Sequence, residues 1–120
     1  MFKFFKKKKV EITHREEWLD TFEKMITLLR DNAHVAQADC VRQIHGALYR
    51  KDVSDFLKKL RGVDMWGGSG AVWEVGYFNS QGEEKEFKKL IIELVQLMKN
   101  DKISHGKANS VSHFFRKTSY

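Results

Sequence analysis

Two stretches of this chain repeat apolar residues at the period of an α-helix, and that pattern constrains the fold more than any other feature. Trp18, Phe22, Met25, Ile26 and Leu29 share one helical face, as do Phe87, Leu90, Ile91, Leu94, Leu97 and Met98. The spacing predicts helices over about 14–31 and 83–100. Thr13-His-Arg-Glu16 reads as a capping box for the first, the Thr13 hydroxyl and Glu16 each serving the other's backbone N–H. Glu83, Glu84 and Glu86 open the last helix and Lys99 closes it, the order that the helix dipole favours. Between them, Val35, Ala38, Val41, Ile44, Leu48 and Tyr49 mark a second helix over about 33–49, expected to bend or end near Gly46. A short third helix starts at Asp52 or Ser54, turns Phe56, Leu57 and Leu60 inward, and stops at Gly62 as its C′ residue. The chain contains no proline, in keeping with a helix-dominated fold.

The pattern breaks at Trp66-Gly-Gly-Ser-Gly-Ala-Val-Trp-Glu-Val75. Gly67, Gly68 and Gly70 are expected to take positive φ or to allow close approach of the chain to a neighbour. Beyond them, Trp73, Val75 and Tyr77 alternate with Val72, Glu74 and Gly76, which predicts a strand over about 71–78. A strand needs a partner for its backbone, and 9–12 or 63–66 are the candidates. Asn79 to Gly82 forms a turn. The expected fold class is therefore mainly α: a four-helix cluster, one helix short, with a minor β element at about residues 71–78. At 120 residues the chain is one domain's length. A globular domain at 13–100 is expected between a basic N-terminal segment, 1–12, and a basic C-terminal tail, 101–120, in which Val111, Phe114 and Phe115 allow one helical turn to dock.

Charge is unevenly spread. The net charge is +6, yet residues 1–10 hold five lysines and no acid, residues 101–120 sum to +3, and residues 11–100 to −2. The basic signal belongs to the ends, so no stable nucleic-acid partner is expected for the body. A second reading makes the ends themselves a nucleic-acid or anionic-surface binder. No apolar run approaches the roughly 20 residues of a membrane-spanning helix. The Met1–Lys9 start lacks the apolar run and small-residue site of a secretory signal. Cys40 is the single cysteine, which points to a reducing compartment and a cytoplasmic location.

Reactive constellations are missing from the pattern. The glycine-rich string lacks the Gly-Lys-Ser/Thr of a phosphate loop and lies between a helix and an expected strand, the wrong order for a nucleotide fold. Asp64 and Glu74 have no His or Arg at motif spacing to make them an acid and base pair. His34 and His45 lie three turns apart on one helix, too far to share an ion, and no zinc spacing involves Cys40. Cys40 beside Val41 is more simply a small buried side chain than a nucleophile. No catalytic residue, metal or cofactor is expected.

The string Trp66-Gly-Gly-Ser-Gly-Ala-Val-Trp-Glu-Val75, followed by Phe87-x-x-Leu90-Ile91-x-x-Leu94, resembles a family of small bacterial proteins. Over about residues 14–100 the chain is similar to immunity proteins of polymorphic or contact-dependent toxin systems. That resemblance implies a cytoplasmic, non-catalytic inhibitor that binds one cognate toxin domain and occludes its active site. It assigns no contact residues. Those are chosen on chemistry: Trp66 and Trp73 as aromatic anchors, with Asp64 and Glu74 beside them. A core role for either tryptophan fits the same composition. A homodimer formed through an amphipathic helix is compatible with the same pattern.

Overall fold

The computed structural model of the chain describes residues 10–118, and helices are the only regular elements among them. In order they are α1 (Arg15–Asp31), α2 (Val35–Tyr49), α3 (Val53–Leu60), the single turn α4 (Val63–Trp66), a 3₁₀ turn at Val72–Glu74, α5 (Gln81–Asn100) and α6 (Gly106–Thr118). The fold is mainly α, and the four expected helices are present as α1, α2, α3 and α5. α1 packs against both α2 and α5, α3 against α2, and α6 against α5.

The stripes that predict these helices form the core. Trp18, Phe22, Met25 and Leu29 of α1 are wholly buried, as are Ile44 of α2, Phe56 of α3 and Leu94 of α5. Each such side chain is worth about 1.5–3 kcal/mol relative to exposure. Trp18 meets Phe56 edge-on at 5.3 Å and Phe22 at 5.9 Å, so one aromatic cluster joins α1 to α3. Gly46 neither bends nor ends α2, which continues to Tyr49.

Three connections share one device. α1, α2 and α5 each end with a residue of positive φ, Ala33 (66°), Lys51 (64°) and Lys102 (60°). The next N–H reaches back to the helix in every case: His34 to Leu29 O at 2.8 Å, Asp52 to Ala47 O at 3.0 Å, Ile103 to Met98 O at 2.8 Å. These are Schellman ends without glycine. Gly62, expected as the C′ glycine of α3, has φ −73° and instead starts α4.

The expected capping box is absent. Residue His14, with φ 51°, stands at the N-cap and makes no side-chain cap. Thr13 turns away, its hydroxyl and its N–H both donating to the carboxylate of Asp101 at the far end of α5. The Trp18 indole donates to the same carboxylate at 2.9 Å, which leaves Asp101 buried and fully engaged. A side-chain cap is found at α5 instead: Ser80 Oγ accepts from Glu83 N at 3.1 Å and donates to Glu83 Oε1 at 2.9 Å.

The expected strand at 71–78 does not form. Val72–Glu74 is a 3₁₀ turn, 63–66 is helical and 10–12 lies in no element, so neither candidate partner offers an edge. Its backbone bonds are local, Glu74 N–H to Ala71 O at 3.1 Å and Val75 N–H to Val72 O at 3.3 Å; further on His34 Nε2 lies 2.6 Å from Tyr77 O, and just past the segment Asn79 N–H donates to Asn32 Oδ1 at 2.6 Å. The boundary at residue 100 also moves. Ile103, Ala108, Val111 and Phe115 are buried in the common core, so the folded body runs on through α6. Of the expected N-terminal segment, residues 1–9 lie outside the described residues, while Val10 and Ile12 pack against the core.

Candidate functional site

α4, the glycine-rich stretch and the 3₁₀ turn form one irregular band over residues 63–78. Only two of its glycines require that residue type. Gly70 has φ 87°, and a Cβ on Gly67 would stand 2.6 Å from Val63 O. Gly68, expected to be equally constrained, has open space at its Cβ position. Gln37 on α2 holds the band by donating to Gly70 O at 3.0 Å.

The four residues predicted as partner contacts are separated by this band. Trp66 is 2% exposed, its indole donates to Leu60 O at 2.8 Å, and its ring lies 6.0 Å from that of His105. It is a core residue, and burial removes it from any contact surface. Trp73 is half-buried, its indole donates to Gly67 O at 2.7 Å, and Lys107 Nζ stands 4.8 Å from its ring centroid. Asp64 and Glu74 are exposed and line two different hollows.

Asp64 stands on the wall of a cleft of about 480 Å³ between α2 and the α3–α4 corner. Ile44, Cys40 and Ala36 give it apolar surface; Asp39, Lys58 and Lys59 give it charge. Two of those charges are already matched, Asp39 with Arg42 at 3.3 Å and Lys59 with Asp55 at 2.6 Å. Burial, and secondly the Asp64 charge, push the Cys40 thiol up to about 11. A thiol so protonated at neutral pH is a poor nucleophile. At the rim Val63 is 79% exposed, an unusual position for a branched apolar side chain next to a carboxylate.

Glu74 lines the second hollow, a groove of about 200 Å³ between the band and the α5–α6 pair. Trp73, Phe78, Phe114 and Phe115 make its walls and Lys88 stands at its edge. Phe114 is 54% exposed. The places of Lys88, Lys107 and Phe78 are not legible in the sequence, because they depend on α6 docking beside the band. The signal was present in Ala108, Val111 and Phe115, which are spaced as one helical face.

Among the described residues no group of three or more His, Cys, Asp or Glu side chains is placed to hold a metal. His34 is engaged with Tyr77 O, and His45 Nε2 lies 3.0 Å from Glu23 Oε2. No helix among the described residues is long and apolar enough to cross a membrane. The chain matches no family model, no curated protein and no solved structure.

Proposed function

We propose that this chain is a non-catalytic inhibitor of the immunity kind, which acts in the cytoplasm by covering the active site of a cognate bacterial toxin domain. One observation carries the reading: Asp64 and Glu74 bracket the irregular band as exposed carboxylates, and neither has a hydrogen-bonding or ionic partner among the described residues. Asp20, Glu84 and Asp39 are matched, with Lys24 at 3.0 Å, Lys88 at 3.3 Å and Arg42 at 3.3 Å. Among the described residues Glu16, Asp31 and Glu86 are exposed and unpaired as well, so what sets Asp64 and Glu74 apart is their place beside exposed apolar and aromatic side chains. Unmatched carboxylates beside exposed Val63 and half-buried Trp73 suit a partner that brings basic side chains and an apolar patch. An interface of about 800 Å² per partner suffices for such inhibition, with no chemistry supplied by the inhibitor. Trp66 has no part in that contact.

The test is growth rescue on co-expression with the C-terminal toxin domain of a polymorphic protein encoded beside this gene. Rescue by the wild-type chain is expected, and so is its loss in the Asp64→Lys, Glu74→Lys double variant. Failure of the wild-type chain to rescue overturns the inhibitor reading. Rescue undiminished by the charge reversals removes both carboxylates from the contact.

A further inference from the structure

The groove of about 200 Å³ between residues 73–78 and α6 is aromatic in its walls and acidic in its charge. Trp73 lies 6.4 Å from Phe115, Phe78 packs on Phe87 at 5.1 Å, and Phe114 lies 5.9 Å from Phe115. The charged residues that line it are Glu74, Glu84 and Lys88. Glu84 and Lys88 cancel in a 3.3 Å ion pair, which leaves the exposed carboxylate of Glu74 as the net charge of the groove. The rings already hold cations of this chain: Lys107 Nζ stands 4.8 Å from the Trp73 centroid and Lys88 Nζ 5.8 Å from that of Phe115. Lys107 does so from outside the lining of the groove. Phe114 carries no such cation among the described residues, and it is 54% exposed in a helix that buries Val111 and Phe115.

We infer that this groove is the receptor for one arginine side chain of the protein partner, its guanidinium held between the Phe114 ring and the Glu74 carboxylate. The inference rests on the inhibitor reading and names the partner group that Glu74 meets. An anion does not suit the groove, because it would face Glu74 and Glu84 with only a paired lysine in its favour. A neutral apolar side chain would cover Glu74 and leave a desolvated charge unpaired. A cation on an apolar stem satisfies both walls and charge. Of the two basic side chains arginine fits better: its guanidinium stacks flat on a ring while its edge donates to a carboxylate, and it is more weakly hydrated than an ammonium. Space limits the occupant to a single side chain, since a helix about 10–12 Å across exceeds a hollow of this volume.

The test is a low-salt NMR titration of the full isotope-labelled chain with N-acetyl-arginine methylamide, followed on the indole N–H resonances, that of Trp73 being assigned by its loss in Trp73→Phe. A saturable shift of the Trp73 resonance is expected, with those of the buried Trp18 and Trp66 unmoved. The neutral isostere N-acetyl-citrulline methylamide and N-acetyl-lysine methylamide should both bind more weakly. Glu74→Gln and Phe114→Leu should each weaken arginine binding about two- to fivefold, the range of an exposed ion pair or cation–π contact. Glu16→Gln, which removes an exposed acid of α1, should not. The same spectra show whether each variant is folded. The inference is overturned by absence of a shift at Trp73, by citrulline or lysine binding as well as arginine, or by arginine binding indifferent to both Glu74→Gln and Phe114→Leu. These outcomes are separate from the fate of the inhibitor reading: no Trp73 shift in a chain that rescues growth strikes the groove alone, whereas a saturable shift in a chain that fails to rescue strikes the inhibitor reading and leaves the arginine site standing.

Discussion

The buried carboxylate of Asp101 accepts the indole N–H of Trp18 at 2.9 Å, joining the last residue after α5 to the first turn of α1 across 83 positions of sequence. Thr13 adds its N–H and hydroxyl to the same group. Asp101→Ala would leave those three donors without their acceptor beside the core, and a buried unsatisfied group costs about 1–3 kcal/mol. A loss of about 2–4 kcal/mol is expected by urea denaturation, with a smaller loss for Asp101→Asn, which keeps one acceptor oxygen. An unchanged midpoint for the alanine variant would show that the latch carries no stability.

That latch also shows where the sequence stops being legible. α1 and α5 are plain because their stripes repeat every turn, and the period needs no knowledge of the rest of the fold. The local spacing of Thr13 to Glu16 suits a cap, but the actual partner of Thr13, Asp101, is visible only once α1 and α5 are packed. The same holds at 71–78. Alternating Trp73, Val75 and Tyr77 look like a strand, while the observed backbone bonds are those of a 3₁₀ turn, and the distant contacts at its far end come from His34 to Tyr77 O and Asn32 to Asn79 N–H across more than forty residues. The α6 segment looks like a tail in sequence because Ser, Asn, Gly and His are weak helix formers. Burial of Ala108, Val111 and Phe115 against α5 overrides that weak propensity. Of the contact residues chosen, Asp64 and Glu74 are exposed as such a role requires, whereas nothing local distinguishes the buried Trp66 from the half-buried Trp73.

Ala33, Lys51 and Lys102 occupy left-handed backbone at the ends of α1, α2 and α5. For an L-residue that conformation costs about 1–2 kcal/mol, and glycine escapes it at an entropic cost of about 0.5–1 kcal/mol. Ala33→Gly, Lys51→Gly and Lys102→Gly should therefore each stabilise the chain by about 0.5 kcal/mol, and their effects should add, since the three residues close different helices. Urea midpoints of the single and triple variants check this; a lowered midpoint at any site would mean that its helix ends differently in solution.

α6 belongs to the folded body, and its removal from the core should be felt throughout. Phe115 is 5% exposed, beside Trp73 and under Lys88. Phe115→Ala is expected to cost about 3–4 kcal/mol, as for a large aromatic lost from a packed site. The neighbouring exposed Phe114→Ala should cost less than about 1 kcal/mol. Similar losses from both in thermal or urea unfolding would contradict the docking of α6 in this register.

Cys40 links the Asp64 cleft to a measurable pH dependence. Its thiol is raised from 9.0 to about 11, first by burial and then by the Asp64 charge. Below pH 9 both folded and unfolded chains keep the proton, and the full benefit of a buried neutral thiol is present. Between about pH 9 and 11 the unfolded chain gives it up first, so stability falls as pH rises through that window. Cys40→Ala should remove this part of the alkaline decline relative to the wild-type chain. Asp64→Asn should act on the native state alone: removing a negative charge near the thiol lowers its pKa, so iodoacetamide should alkylate Cys40 faster at pH 9 in this variant than in the wild type. An unchanged rate would separate Asp64 from Cys40 and with it dissolve the cleft as a single electrostatic unit.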